Sequence, residues 1–228
     1  MQAIDYAYQI LDIFYEADSE IYLAGGSVRD YLLYGEFDDF DFATPCAPVI
    51  VTTILDIDKY DKYAFKFGTV KADYLGQEIQ ITTFRKEGEY LDSRHPTSIK
   101  FIKNIEVDSL RRDFTINAMY LDYSGQVLDF HKGLDDLENR IIRTVGNAKD
   151  RIKEDPTRIL RAIRFMLKLD FELSEDLEEA IKENINLIKL ISKDRIKIEY
   201  NKMLESNDEE EIKKIFDYFD FNLEEYLV

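Results

Sequence analysis

Two adjacent glycines, Gly25 and Gly26, separate the apolar tetrapeptide Ile21-Tyr22-Leu23-Ala24 from a stretch, Ser27 to Tyr34, that Gly35 closes. The tetrapeptide reads as a short buried strand and the following stretch as a short helix, so the glycines mark a tight strand-to-helix turn. Beyond it, Asp39-Phe40-Asp41-Phe42-Ala43 alternates charged and apolar residues as a half-buried strand does, which sets both aspartates on one face. Upstream, Ile4, Ala7, Tyr8, Leu11, Phe14 and Tyr15 recur at helical spacing between Ala3 and Ala17. A helix around Pro48 to Leu55 and strands near Val70 to Tyr74 and Glu78 to Phe84 complete a mixed sheet with helices packed on it.

Arg85 to Pro96 is mostly polar and carries no period, which reads as a loop long enough to be functional. Leu110 to Ala118 follows, then a strand-like Met119 to Tyr123, a turn at Ser124-Gly125, and Val127 to Phe130. From Leu134 the pattern is helical, with Ile141 to Val145 as the one strand-like interruption. The expected boundary lies near Gly146, with an α+β part over residues 1–146 and an all-helical part over residues 147–228.

With 228 residues and 45% hydrophobic content, the chain can bury one good core or two small ones. No apolar run approaches the roughly 20 residues that span a bilayer, and Met1-Gln2-Ala3-Ile4-Asp5 is not a basic, apolar leader, so the reading is cytoplasmic. Cys46, the single cysteine, excludes an internal disulfide and a Cys-rich zinc site, and is expected to be a small buried residue. A net charge of −17 argues against a surface that grips nucleic acid all round. Acidic residues crowd Glu172 to Glu183 and Asp208 to Glu211, whereas Arg and Lys concentrate between Arg85 and Arg164, where any nucleotide or RNA site should lie.

Asp39 and Asp41, two apart on a strand, are what a two-metal phosphoryl-transfer site needs, although an exposed strand end in an acidic chain would look the same. Gly25-Gly26-Ser27 can present backbone N–H groups to phosphate oxygens at a helix N-terminus, with Arg29 in the first turn; a turn needing glycine for backbone reasons alone is the competing reading. The order of turn, helix and paired aspartates favours a triphosphate site.

Gly25-Gly26-Ser27-Val28-Arg29-Asp30 followed by Asp39-Phe40-Asp41-Phe42-Ala43-Thr44 resembles the signature of the class II CCA-adding enzyme and bacterial poly(A) polymerase family, within the polymerase β-like nucleotidyltransferases. Arg111-Arg112-Asp113-Phe114-Thr115-Ile116-Asn117-Ala118 is similar to that family's second motif. Glu154-Asp155-Pro156-Thr157-Arg158-Ile159-Leu160-Arg161-Ala162-Ile163-Arg164-Phe165 is similar to its base-selecting helix. The resemblance implies a polymerase β-like catalytic head over residues 1–146, then a helical neck and the start of a body over 147–228. It implies template-independent addition of C and A to the 3′ end of tRNA from CTP and ATP. In that reading Asp39 and Asp41 bind two Mg²⁺ ions, and Gly25, Gly26, Ser27 and Arg29 hold the triphosphate. Asp113 and Asn117 take the ribose, and Arg111 and Arg112 contact phosphate or primer. The segment from Glu87 to Pro96, with Asp92 and Arg94, resembles the family's flexible loop, which enzymes adding the terminal A retain.

Asp155 and Arg158, three apart on a helix, would stack on one face as one acceptor and one donor fork. Cytosine and adenine each offer an amino donor beside a ring acceptor and fit that edge, whereas uracil and guanine present a carbonyl and an N–H there. The competing reading is an i,i+3 ion pair at a helix start with Pro156 in the first turn. Arg161 extends the same face toward a phosphate. Where much of the family has a glutamate before Thr-Phe-Arg, this chain has Gln80; either Glu78, on the same strand face, substitutes as the base or metal activation of the hydroxyl suffices. Family members continue into helical body and tail domains, so the chain is either a head-and-neck piece or a minimal enzyme needing a partner, with a homo-oligomer possible. Addition of A alone, poly(A) synthesis and a non-catalytic nucleotide- or RNA-binding module are the alternative activities. The lack of a basic, aromatic segment between Lys59 and Phe67 favours tRNA over poly(A) synthesis.

Overall fold

The computed structural model describes residues 2–88 and 98–227. It divides into two compact units, Met1–Gly88 with Ser98–Leu137, and Glu138–Val228. The division thus falls nine residues before the Gly146 expected from sequence. Ile141–Ile142 pairs with a later strand of the helical unit, which draws the segment ahead of Gly146 into that unit.

The first unit carries helix α1 (Ala3–Glu16), β1 (Tyr22–Ala24), α2 (Gly26–Tyr34), β2 (Phe40–Thr44), α3 (Pro48–Ile54), α4 (Lys62–Lys66), β3 (Thr69–Tyr74) and β4 (Gln77–Thr83). It continues with β5 (Arg85–Glu87), β6 (Ile99–Phe101), α5 (Ile105–Ser109), a single 3₁₀ turn at Thr115–Asn117, β7 (Met119–Leu121), β8 (Val127–Asp129) and α6 (Gly133–Glu138), whose last residue already belongs to the second unit. Six strands form one mixed sheet in the order β3-β4-β2-β1-β7-β8. Strands β2 and β4 run parallel, which requires the crossover through α3, α4 and β3, and the other neighbours are antiparallel.

Strand β2, at the sheet's centre, decides which side chains meet. Phe40 and Phe42 point to one face, where the Phe40 ring meets Tyr6 of α1 edge-on with centroids 4.7 Å apart. Helix α1 turns Tyr6, Ala7, Ile10, Leu11 and Phe14 inward, the three- and four-residue spacing read from sequence. Ala43 lies on the opposite face in a buried cluster with Ala24, Phe84 and Tyr120, and Asp41, two residues before it, emerges on that same side. Helix α2 begins on Gly25, whose φ of +69° lies in the left-handed region that favours glycine, and stops at Gly35, with φ +74°.

The second unit holds β9 (Ile141–Ile142), α7 (Ala148–Glu154), α8 (Thr157–Leu169), β10 (Glu172–Leu173), α9 (Glu175–Asn184), a 3₁₀ stretch at Ile185–Leu190, α10 (Lys193–Leu204) and α11 (Glu209–Tyr218). Helix α8 buries Ile159, Leu160, Ala162, Ile163, Phe165 and Leu169. Its Arg164 reaches the fully buried Glu199 of α10 at 2.9 Å, and Arg195 approaches the same carboxylate at 3.3 Å.

The α+β reading of the first part and the helical reading of the second agree with these elements, and three local expectations need correction. Arg85–Glu87 is not loop but pairs antiparallel with Ile99–Phe101, a hairpin held by backbone bonds that a polar sequence does not advertise. Helix α4, five residues long, carries no long periodic face and has no sequence signature of its own. The strand-like Ile141 to Val145 shortens to two residues and pairs in parallel with β10, a second strand in the expected all-helical part. Cys46 is half-buried rather than buried.

Gly133 packs so closely that a Cβ there would sit 2.4 Å from the Thr115 carbonyl oxygen. Gly133→Ala is therefore expected to destabilise the first unit by about 1–3 kcal/mol, the range for overpacking a filled site. Urea unfolding of the variant against wild type measures it.

Candidate active site

The site is built from the turn between β1 and α2, the start of β2, and the segment Arg111 to Asn117. Gly25 donates its N–H to the Met119 carbonyl oxygen at 3.2 Å, which anchors the turn to β7. The first bond inside α2 is Arg29 N–H to the Gly25 carbonyl, so the amides of Gly26, Ser27 and Val28 have no intrahelical acceptor. The Ser27 hydroxyl donates to the Asp39 carbonyl oxygen at 2.6 Å and accepts from the Asp41 N–H at 3.1 Å. One buried hydroxyl thereby ties the helix N-terminus to the backbone on both sides of Phe40.

Asp39 is exposed just ahead of β2, and Asp41 is half-buried within it. No hydrogen bond or ion pair holds either carboxylate among the described residues. Burial and the neighbouring Asp39 charge push the Asp41 carboxyl up to about 6, against the opposing pull of Arg112 and Lys71. Two close carboxylates without internal partners suit divalent cations. Among the described residues no group of three or more acidic, His or Cys side chains gathers as a metal site.

Lys71, Gln80 and Asp41 stand opposite one another on three neighbouring strands, so all three project from one face. Gln80 is thus the direct cross-strand partner of Asp41. Glu78 lies one step along on the same face, exposed, with its carboxylate 3.0 Å from the Lys71 ammonium.

Arg29 is 3% exposed, its guanidinium donating to Asp30 at 2.7 Å and to the Asn117 side-chain oxygen at 2.6 Å. Asn117 in turn donates to Asp113 at 3.2 Å. Arg29 and Ser27, expected on the triphosphate, thus direct the polar groups seen here inward and order the groups around the turn. Arg112 donates to the Tyr120 hydroxyl at 2.9 Å and to the Asn117 carbonyl oxygen at 3.3 Å. Its guanidinium lies so close to Gly25 that a Cβ there would be 3.0 Å from Nη1. Arg111 binds Asp108 at 2.9 Å.

In the second unit, Asp155 is not on the helix: its backbone is extended, and its Oδ1 caps α8 by accepting from the Thr157 N–H at 2.9 Å and hydroxyl at 2.6 Å. The expected stacking of Asp155 and Arg158 on one helical face is corrected accordingly, since Pro156 starts the helix after Asp155. No ion pair joins them; Arg158 Nη1 donates to the Arg151 carbonyl oxygen at 2.5 Å and to Glu154 at 3.2 Å. Asp155 Oδ2 and Arg158 Nε and Nη2 make no hydrogen bond among the described residues. Arg161 lies over Phe165 at 5.6 Å. Asp92 and Arg94 lie outside the described residues.

Sequence reasoning missed Asp108, Tyr120 and Lys71. Asp108 precedes Arg111 by three residues and Arg112 by four, a spacing that could have flagged it. Tyr120 and Lys71 reach the site through strand register, which no local pattern encodes.

A carboxyl whose folded value is raised is protonated more readily when folded, so it costs stability once ionised. Apo stability is expected to fall by about 1–3 kcal/mol as pH rises from about 4 to about 6 on account of Asp41. Asp41→Asn should remove that slope, which denaturant titration across this pH range measures. Ser27→Ala, by freeing two backbone groups from their clip, is expected to cost roughly 1–3 kcal/mol in the same assay.

The family described as poly A polymerase head domain matches residues 21–143, and one described as probable RNA and SrmB-binding site of polymerase A matches residues 170–218. A CCA-adding enzyme of Streptococcus sanguinis is 43% identical over 198 residues, covering 87% of this chain and 49% of the relative. That of Bacillus subtilis is 39% identical over 203 residues, covering 87% and 50%. Among solved structures, the Bacillus stearothermophilus CCA-adding enzyme in complex with CTP superposes with a TM-score of 0.79 at 36% identity, over 90% of this chain and 49% of that one. The Thermotoga maritima CCA-adding enzyme complexed with tRNA gives 0.77 at 28% identity, over 95% and 50%. The chain spans about half the length of the curated relatives it matches. Among the described residues no helix is long and apolar enough to cross a membrane. With its first motif, its central sheet and more than half of its 228 residues inside the matched head domain, the chain belongs to the poly A polymerase head domain family.

Proposed function

We propose that this chain is the head and neck of a template-independent RNA nucleotidyltransferase that extends the 3′ end of tRNA with C and A, drawing on CTP and ATP in the cytoplasm. The observation that carries the reading is the pair Asp39 and Asp41, without internal partners and fixed through Ser27 to the glycine turn at the start of α2. The relatives' names, the bound CTP and the bound tRNA of the solved structures support it.

Asp39 and Asp41 would hold Mg²⁺. Bound there, the ions would polarise the α-phosphate and favour ionisation of the primer hydroxyl. The amides of Gly26, Ser27 and Val28 face outward from the helix start, where the backbone dipole favours phosphate oxygens. Asp113, braced by Asn117, is assigned to the ribose, where a carboxylate accepting from the 2′-OH favours ribonucleotides. The free Oδ2 of Asp155 and the free Nε and Nη2 of Arg158 leave one acceptor and a donor fork for the edge of cytosine or adenine. Arg111 and Arg161 are assigned to phosphate.

Incubation with tRNA lacking its CCA end, Mg²⁺ and labelled CTP and ATP should give successive C and A incorporation. No incorporation of either nucleotide while both still bind would overturn the enzyme reading in favour of a binding module, and A alone would favour the A-adding alternative. Arg158→Ala should reduce discrimination against UTP and GTP while leaving metal binding intact; unchanged specificity would contradict the base-edge assignment. Glu78→Gln should keep kcat within about tenfold, because the carboxylate is already paired with Lys71. A loss on the order of 10²-fold or more would instead make Glu78 the base.

A further inference from the structure

Asp108 is fully buried, yet four groups converge on its carboxylate. Its Oδ1 accepts from the Arg85 backbone N–H at 2.9 Å and from Arg111 Nε at 2.9 Å. Its Oδ2 accepts from the Tyr120 hydroxyl at 2.9 Å and lies 3.7 Å from Arg112 Nη2. Burial alone would raise this acid, but Arg111, Arg112 and the Arg85 N–H together hold it below the usual carboxylate range, so it is a fixed negative charge. The Tyr120 hydroxyl is a bridge, donating to Asp108 and accepting from Arg112 Nε, while its ring lies 4.6 Å beneath the same guanidinium.

Arg112 is thereby gripped by charge, hydroxyl, carbonyl and ring. The grip matters because of what lies on its other side. Tyr120, whose ring lies beneath the guanidinium, clusters with Ala24 and Ala43 on the sheet face from which Asp41 also projects, so the charges of Arg112 and Asp41 act on each other without an ion pair between them. A guanidinium on a flexible stem pairs bidentately with carboxylates, and Asp41 and Asp39 have no competing internal partner. Without its anchor, Arg112 would find its next-best acceptors in those two side chains and occupy the oxygens that a divalent cation requires.

We propose that Asp108 and Tyr120 are positioning residues that hold the Arg112 guanidinium off Asp39 and Asp41, so that the pair stays open to divalent cations while a fixed positive charge stands beside the glycine turn. This rests on the reading of Asp39 and Asp41 as the metal pair. The arrangement accounts for two buried polar groups on a strand and a short helix that make no contact with the aspartates themselves.

Mn²⁺ binding to the full chain, followed by water-proton relaxation without nucleotide, tests this directly. Asp108→Asn is expected to weaken Mn²⁺ binding roughly three- to tenfold, the scale of one added ion pair competing at the site. Tyr120→Phe should shift it the same way by less. Asp108→Asn combined with Arg112→Ala should restore wild-type affinity, because the competing cation is gone; a merely structural defect would not be rescued by a second truncation. Wild-type affinity in Asp108→Asn, or weakened binding that persists in the double variant, would overturn the proposal. Should Asp108→Asn fail to fold by circular dichroism, Tyr120→Phe with and without Arg112→Ala carries the same comparison. Mn²⁺ binding left unchanged by Asp41→Asn as a single substitution would overturn the metal reading itself, and this inference with it.

Discussion

The Ser27 hydroxyl, donating to the Asp39 carbonyl and accepting from the Asp41 amide, is the contact on which the rest of the site depends. It closes a ring of chain from the glycine turn, through α2, to the entry of β2. Without it the start of β2 would rest on strand pairing alone, and Asp39 lies one residue outside that pairing. Burial makes the contact strong, because a hydroxyl at 1% exposure has no water to exchange with. The same hydroxyl, engaged with two backbone groups, orients the site rather than binding ligand with those bonds.

Around this clip the charges are arranged in opposition. Asp41 is driven up by burial and by Asp39, and Lys71 and Arg112 pull it back from either side. In a chain of net charge −17 these cations are few, and each described at the site is tethered: Lys71 by Glu78, Arg112 by Tyr120 and Asp108, Arg29 by Asp30 and Asn117. Tethering fixes positive charge near the expected phosphates while leaving the carboxylates for metal, which is electrostatic preorganisation in the sense that no group must move when charge develops.

What could be read in the sequence was what is local. The strand, the Gly25-Gly26 turn, the helix ending at Gly35 and the Asp39/Asp41 alternation lie within one stretch, and periodicity with glycine punctuation places all of them. The contributions of Tyr120 and Lys71 could not be read, since they arise from β1 pairing with β7 and β3 pairing with β4. Asp155 shows the opposite failure. Helical spacing suggested a shared face with Arg158, but an aspartate before proline prefers extended backbone and caps the helix instead of joining it. The short hairpin of β5 and β6 escaped for a related reason, because polar residues at a sheet edge carry no hydrophobic alternation.

Where a divalent metal binds decides whether Asp39 and Asp41 are the metal pair. Crystals of the chain soaked with Mn²⁺ and a non-hydrolysable CTP analogue, measured at a wavelength where manganese scatters anomalously, locate it directly. The expected result is an anomalous peak within coordination distance of carboxylate oxygens from both Asp39 and Asp41, on the side of the Gly26 and Ser27 amides, with Arg112 still held by Tyr120. A peak placed elsewhere, or Arg112 occupying the two carboxylates in its stead, would contradict it.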